Sequence, residues 1–234
     1  MIKETFQMFD AAKRLLIDCG LKKSFFGKSS VNAQGNPVPW ISLPAIEFLN
    51  SMKLENIKLF EFGSGNSTLY WAERMRQGHL CRYDAVECDY SYYVNMWRKD
   101  GFYRDHVKWL DTDKEYLTYA WSCATRHTGE LDNLIPYDFV VVDGPIQLRE
   151  KELSQALGVC HPEGIIMVDD ANWISEHVEF VCERDSLFRV DFAGFGPGVS
   201  YTKVTSFLFR NPGWFLGNPV PTPVGGMAKY PGIL

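Results

Sequence analysis

Short apolar runs that end in a glycine or an acid, with helical stretches between them, set the tightest limit on how this chain folds. The runs at 57–62, 83–87, 106–110, 139–142 and 165–168 are short and mostly apolar, the last two continuously so, as strands buried on both faces are. Helical periodicity at 67–77, 90–99, 148–158 and 172–184 fills the intervals between and after them. Strands alternating with helices build a parallel sheet covered on both sides, because each parallel connection needs a crossover. The last two runs, 187–192 and 202–209, have only a Gly-rich link (194–198) between them, so they are expected to pair antiparallel at one edge. The expected fold class is α/β with a mostly parallel sheet.

At 234 residues the chain suits one such domain with terminal extensions. Residues 3–19 read as an amphipathic helix stopped by Gly20, 21–42 as a loop, and 44–49 as a short helix. The expected organisation is an extension over 1–56 that is part of the same domain, a core over 57–210, and a Pro/Gly-rich tail over 211–234. That tail is either an arm packed on the domain or disordered. A net charge of −5 with scattered Lys and Arg makes nucleic acid an unlikely partner, since phosphate binding needs clustered cations. No apolar run nears the roughly 18 residues that span a bilayer. Six cysteines without a CxxC pair read as free thiols, mostly buried, and the N-terminus has no signal-peptide pattern. A cytoplasmic protein is expected.

Open parallel sheets bind ligands beyond the carboxyl ends of their strands, and the loop after the first strand opens that crevice. Here it reads Glu61-Phe62-Gly63-Ser64-Gly65-Asn66-Ser67-Thr68. Glycine lets backbone approach a ligand and accepts positive φ. Ser67 or Asn66 is placed to cap the next helix, whose first amides face the crevice. Gly-x-Gly alone is equally a plain strand–turn–helix link. Two acids sharpen the reading: Glu61 at the end of the first strand, which needs a partner if buried, and Glu87 at the end of the second. Glu87 lies 24 residues after Gly63, close to the spacing of an acid that binds ribose hydroxyls. The pair points to a nucleoside ligand. Position 68 is Thr where a dinucleotide site has its third glycine, and a carboxylate in the turn suits a cationic amino acid better than a pyrophosphate.

The segment Glu61-Phe62-Gly63-Ser64-Gly65-Asn66-Ser67 resembles motif I of the class I S-adenosylmethionine (SAM)-dependent methyltransferases, and the strand series matches that family over about 57–210. The resemblance implies a Rossmann-like three-layer sandwich with a seven-stranded sheet ordered 3-2-1-4-5-7-6 and one antiparallel strand. It implies a SAM site formed by Glu61, Gly63, Ser64, Gly65, Asn66, Ser67, Glu87, Asp111 and Asp143. In that site Glu61 and Gly63 lie by the methionine portion, Glu87 binds ribose, and Asp111 contacts adenine. The family often has Gly-Asp-Ala where this chain has Leu110-Asp111-Thr112, so the match at Asp111 is loose.

Asp143 follows Val140-Val141-Val142, and Asp169-Asp170 follow Ile165-Ile166-Met167-Val168. Adjacent parallel strands put these three carboxylates on one rim, where they repel one another unless protonated, solvated or paired with cations. Oxygen-only donors suit Mg²⁺, which would bind an acceptor hydroxyl and lower its pKa. The spacing resembles the metal-dependent O-methyltransferases, both the catechol type and the sugar enzymes of macrolide pathways. Asp143, Asp169 and Asp170 are the candidate metal ligands, and Asp143 and Asp169 the candidate catalytic residues. Strand-end acids also cap helices, and Asp170 is placed to cap one starting near Asn172.

No single general base stands out among His127, His161 and His177. Trp173 and the 194–201 segment are placed to line an acceptor pocket, and Trp40 with the residues around Pro39 to close over SAM from the N-terminal side. Neither a GxSxG elbow nor a GxxxxGK[ST] loop occurs, which leaves hydrolase and phosphate-loop NTPase readings without support. The expected function is methyl transfer from SAM to a hydroxyl or other nucleophile of a small molecule or glycan. The rivals are another nucleoside-cofactor enzyme on the same fold and a non-catalytic SAM-binding or assembly protein. The Pro-rich tail suits docking on a partner subunit in a homo-oligomer.

Overall fold

The computed structural model describes residues 9–10, 12–125, 134–215, 218–219 and 221. A π-helical turn (Arg14–Asp18) leads into α1 (Leu21–Gly27) and α2 (Leu43–Ser51). Then follow β1 (Ile57–Phe62), α3 (Asn66–Arg76), β2 (Leu80–Glu87), α4 (Tyr90–Trp97), α5 (Gly101–His106) and β3 (Val107–Trp109). The second half runs α6 (Asp113–Thr125), β4 (Tyr137–Val142), α7 (Arg149–Val159), β5 (Cys160–Val168), α8 (Ser175–Asp185), β6 (Phe188–Phe195) and β7 (Thr202–Phe209). Short 3₁₀ turns occupy Ala171–Ile174 and Pro212–Phe215.

All seven strands form one sheet, ordered β3-β2-β1-β4-β5-β7-β6. The first five pair parallel, and β7 runs antiparallel to both β5 and β6. This is the expected seven-stranded Rossmann-like arrangement. The strand order reverses at β1 and β4, whose carboxyl ends part to open a crevice.

Successive strand residues point to opposite faces, and each face here has its own core. Leu59, Tyr83, Ala85, Phe139, Val141, Met167 and Phe207 pack with Leu49 of α2 and Trp71 of α3. Phe60, Phe62, Val140, Val142, Val168 and Leu208 pack on the other face with Tyr116 of α6, Leu153 of α7 and Val178 of α8. The N-terminal segment joins the first core through Ile41, Ala45, Ile46 and Leu54, all essentially inaccessible to solvent.

Three elements differ from the expected pattern. Residues 21–27 are helical rather than loop; Ser24 Oγ donates to the Val31 carbonyl and tucks the helix onto the following turn. α5 and α6 fall where no helix was expected. α5 is started by Asp100, which accepts from the Phe102 amide at 2.7 Å. α6 carries Asp113 and Glu115 in its first turn, which favours the helix dipole, but only a narrow stripe (Tyr116, Ala120, Cys123, Ala124) reaches the core. All six cysteines are free, yet only Cys123 is buried, so the expected burial is not general. Beyond β7, Phe215 packs on Phe48 and Phe209, and most of the tail lies outside the described residues, as do residues 3–8 and 11 of the first expected helix, 3–19. Among the described residues no helix is long and apolar enough to cross a membrane.

Candidate active site

The two-residue alternation explains how the acids gather. Glu61 follows Leu59, Glu87 follows Ala85, Asp143 follows Val141 and Asp169 follows Met167, each two residues beyond a member of the α2/α3-side core. Continuing each strand by one residue pair therefore points these carboxylates to one side of the sheet, at its carboxyl edge. Backbone bonds prolong the ladders to bring them there: Asp143 N donates to the Phe62 carbonyl and Asp169 N to that of Val142, each at 3.0 Å.

Glu61 is wholly buried. Its Oε2 accepts from the Tyr83 hydroxyl and, at 3.3 Å, from Thr68 Oγ1, while Oε1 has no partner. Burial pushes its pKa up to about 7, against the lowering effect of the nearby Ser67, Tyr83 and Thr68 hydroxyls, and the charge of Glu87 adds to the rise. A buried carboxylate oxygen with no donor is costly in the free protein and ready for a cationic or hydroxylic ligand.

Glu87 is more fully engaged. Oε1 accepts from the Cys88 and Asp89 amides, both at 2.9 Å, and Oε2 from Ser64 Oγ at 2.6 Å. Burial is the main reason its pKa stands above the ordinary carboxylate value. Ser64 also meets the Tyr103 hydroxyl at 2.6 Å, so the loop serine bridges β2 and α5. The glycines have distinct tasks. Gly63 has φ +85°, and a Cβ there would lie 2.5 Å from the Asp143 carbonyl oxygen. A Cβ on Gly65 would meet the Tyr92 hydroxyl.

The expected cap is corrected. Gly65 itself holds the N-cap position of α3, its amide donating to Thr68 Oγ1 at 3.1 Å. Asn66 instead donates to Ser29 Oγ and the Ser30 carbonyl, tying the N-terminal segment over the turn. Asp111 lies exposed past the end of β3 and, like the buried Glu61 and Glu87 and the turn residue Gly63, is not among the residues that line the crevice.

That crevice has a volume of about 330 Å³. Ser64, Gly65, Asn66 and Ser67 form one wall, Asp143, Asp169 and Asp170 the floor. Trp40 and the loop residues Val199 and Tyr201 stand over it. Trp173 is exposed and reaches the site only by stacking on Tyr201. A larger groove of about 850 Å³ runs between the N-terminal segment and α3, but the strand-end acids do not line it.

The rim carboxylates come with built-in cations. Lys203 donates to Asp169 Oδ2 and the Trp40 carbonyl and pairs with Asp170 Oδ1 at 3.1 Å. Thr205 Oγ1 donates to Asp169 Oδ1 at 2.9 Å. Arg149 pairs with Asp143 at 3.4 Å and Asp170 at 3.3 Å, and donates to the Asp169 and Gly144 carbonyls. Burial lifts the Asp143 and Asp169 pKa values; for Asp143 the charge of Asp169 adds to this, and Arg149 and Lys203 oppose it. Burial pulls Lys203 down, but Asp169, Asp143 and Asp170 outweigh it and its pKa ends above the ordinary lysine value. Asp170 sits at φ +49°, a left-handed conformation that is strained for a non-glycine residue, and its side chain turns to Arg149 and Lys203 instead of capping the turn that follows.

Two chemical tests follow for groups the fold implies. The unpartnered Glu61 oxygen suits a ligand with a cationic head. The three aspartates do not fit a divalent ion as they stand, because two cationic side chains already share their oxygens. Among the described residues no group of three or more His, Cys, Asp or Glu side chains is arranged to hold a metal ion.

Sequence reasoning missed Tyr83, Tyr92, Tyr103, Arg149, Lys203 and Thr205. Lys203 and Thr205 had a signal: they alternate with Val204 and continue the face of Phe207, so two polar side chains point into an otherwise apolar core face. Tyr92 is fixed over Gly65 because Asp89 caps α4 by accepting from the Tyr92 amide at 2.9 Å. His161 and His177 do not line the crevice, and His127 lies outside the described residues.

No family model matches the chain, and no curated protein matches it. Solved structures do. The O-methyltransferase TomG from Streptomyces achromogenes, involved in tomaymycin synthesis and solved with SAM, is 14% identical with a TM-score of 0.54, covering 84% of this chain and 89% of its own. An O-methyltransferase from Bacillus cereus, in complex with SAH (S-adenosylhomocysteine), is 14% identical with a TM-score of 0.53, covering 75% and 85%. Cofactor-bound Rv0187 from MTB is 16% identical with a TM-score of 0.52, covering 86% and 89%. At such identities the likeness is one of fold: this chain has the fold of the class I SAM-dependent O-methyltransferases.

Proposed function

We propose that this protein is a SAM-dependent methyltransferase that methylates a hydroxyl, or another nucleophile, of a small molecule or glycan. The observation that carries the reading is the pair of buried acids, Glu61 and Glu87, at the ends of adjacent strands on either side of the Gly63–Gly65 turn. The shared fold with SAM- and SAH-bound enzymes supports it. The six free cysteines accord with a reducing, cytoplasmic setting.

SAM, when bound, supplies a methyl group on a sulfonium, already activated for displacement. The chain's own part is placement and charge. Glu61 offers Oε1 to the ammonium of the methionine portion, and Glu87 offers the remaining lone pair of Oε2 to a ribose hydroxyl. Ser64 and Tyr103 hold the Glu87 carboxylate in place for that. Asp143, held at Oδ1 by Arg149, faces the crevice with a pKa above the ordinary range, which makes it the better proton acceptor for an incoming hydroxyl. Trp40 and Tyr201 exclude water above it, and alignment of acceptor and methyl supplies much of the acceleration.

The test is Glu87→Gln, which keeps the shape and removes the charge. SAH affinity is expected to fall about tenfold, with the melting temperature of the free protein little changed. Unchanged affinity in a folded variant removes Glu87 from the cofactor site.

A further inference from the structure

Three carboxylates meet on the crevice floor, and the side chain that reaches all of their neighbourhood is a lysine from the antiparallel strand. Lys203 is only 5% exposed, and its ammonium contacts Asp169, Asp170 and the Trp40 carbonyl. Two of these contacts, to Asp169 and the Trp40 carbonyl, are hydrogen bonds, and the third is an ion pair with Asp170 at 3.1 Å. Arg149, also buried, closes the arrangement by reaching Asp143, Asp170 and two backbone carbonyls. Both Asp169 oxygens are engaged, Oδ2 by Lys203 and Oδ1 by Thr205.

We propose that Lys203 occupies the place a divalent cation would take among Asp143, Asp169 and Asp170, so that the floor of this site is neutralised by a covalently attached cation and takes no metal. The inference gains its chemical meaning from the methyltransferase reading and rests on that reading for it. Two unit charges within about 3 Å attract strongly in a buried setting, and an ion already tethered by the chain carries no loss of translational freedom on binding. A divalent ion would have to compete with both the ammonium and the Thr205 hydroxyl for Asp169, and would set a second cation beside the buried Lys203. Lys203 is thereby a positioning residue. It also bonds the Trp40 carbonyl, so one side chain ties the aspartates to a second residue that lines the crevice.

The arrangement makes a prediction that a merely structural lysine would not: removing it should create a metal site. Mn²⁺ binding is read by electron paramagnetic resonance on the full-length protein, wild type and Lys203→Ala, with Mg²⁺ as competitor. Wild type is expected to leave Mn²⁺ free, and Lys203→Ala to bind one Mn²⁺ that is lost again when Asp169→Asn is added. Stoichiometric, Mg²⁺-displaceable binding by wild type would overturn the proposal, as would a folded Lys203→Ala protein that leaves Mn²⁺ free. If Lys203→Ala does not fold, wild type compared with Asp169→Asn decides alone: binding that Asp169→Asn abolishes overturns the proposal, and no binding by either supports it. An SAH titration of the wild type in parallel separates the two readings. Failure to bind SAH strikes the methyltransferase assignment, whereas the Mn²⁺ result bears on Lys203 alone.

Discussion

A cationic ligand that docks on Glu61 must take it in its ionised form, and that gives cofactor binding a pH dependence the free protein already encodes. Glu61 is buried, its Oε1 has no donor, and its pKa is lifted to about 7. At pH 6 roughly one molecule in eleven then carries the charge, and at pH 7.5 roughly three in four. If binding needs the charge, SAH affinity should rise about eightfold over that interval, or about 1.2 kcal/mol. The ligand's own α-amino group, with an ordinary pKa near 8, stays largely protonated throughout this window. Titration calorimetry at pH 6.5 in two buffers of different ionisation enthalpy should also detect release of about 0.8 proton per SAH bound. Glu61→Gln should bind more weakly and lose both the slope and the proton release. A wild-type affinity that stays flat between pH 6 and 7.5, or a slope that survives in Glu61→Gln, refutes the assignment of Glu61 to the cationic end of the ligand.

Two further outcomes concern the scaffold under the site. Gly63→Ala places a Cβ 2.5 Å from the Asp143 carbonyl oxygen at φ +85°, so it should destabilise the protein by at least about 2 kcal/mol and weaken SAH binding, read by thermal melts with and without ligand. Glu152, which accepts from the Tyr116 hydroxyl and the Gly144 amide, is lifted by burial to about 7. Because that folded value lies above the unfolded one, its stabilising share is full below about pH 4.5 and is lost as pH rises through 7, on the order of 3 kcal/mol in all. Glu152→Gln should therefore flatten denaturant-measured stability between pH 5 and 8; an unchanged slope would mean that Glu152 is not the group that titrates.

The fold was legible because the strands announce themselves. Val140-Val141-Val142 and Ile165-Ile166-Met167-Val168 admit little but a doubly covered parallel strand, and the glycine turn after Phe62 marks the crevice. The helices between β2 and β4 were harder. α5 spans only six residues, and α6 has a thin apolar stripe whose small residues, Ala120 and Ala124, give hydrophobic periodicity little amplitude. In the site, the acids were readable because strand ends bring them together whatever the rest of the chain does. Their partners were not. Lys203 lies 34 residues from Asp169, and only the β5–β7 pairing brings them together. Tyr83 is indistinguishable in sequence from any core tyrosine until its hydroxyl is found on Glu61. Residue types fixed the donors and acceptors; which donor meets which acceptor is set by tertiary register.

The central claim is that the Gly63–Gly65 crevice binds SAM, and the direct test is calorimetric titration of the wild-type protein with SAM, SAH and NAD. Stoichiometric binding of SAM and SAH, with none of NAD, is the expected result. Binding of NAD without SAH would contradict the account and reassign the turn to a dinucleotide, and binding of none of the three would leave the fold without the cofactor its acids are proposed to hold.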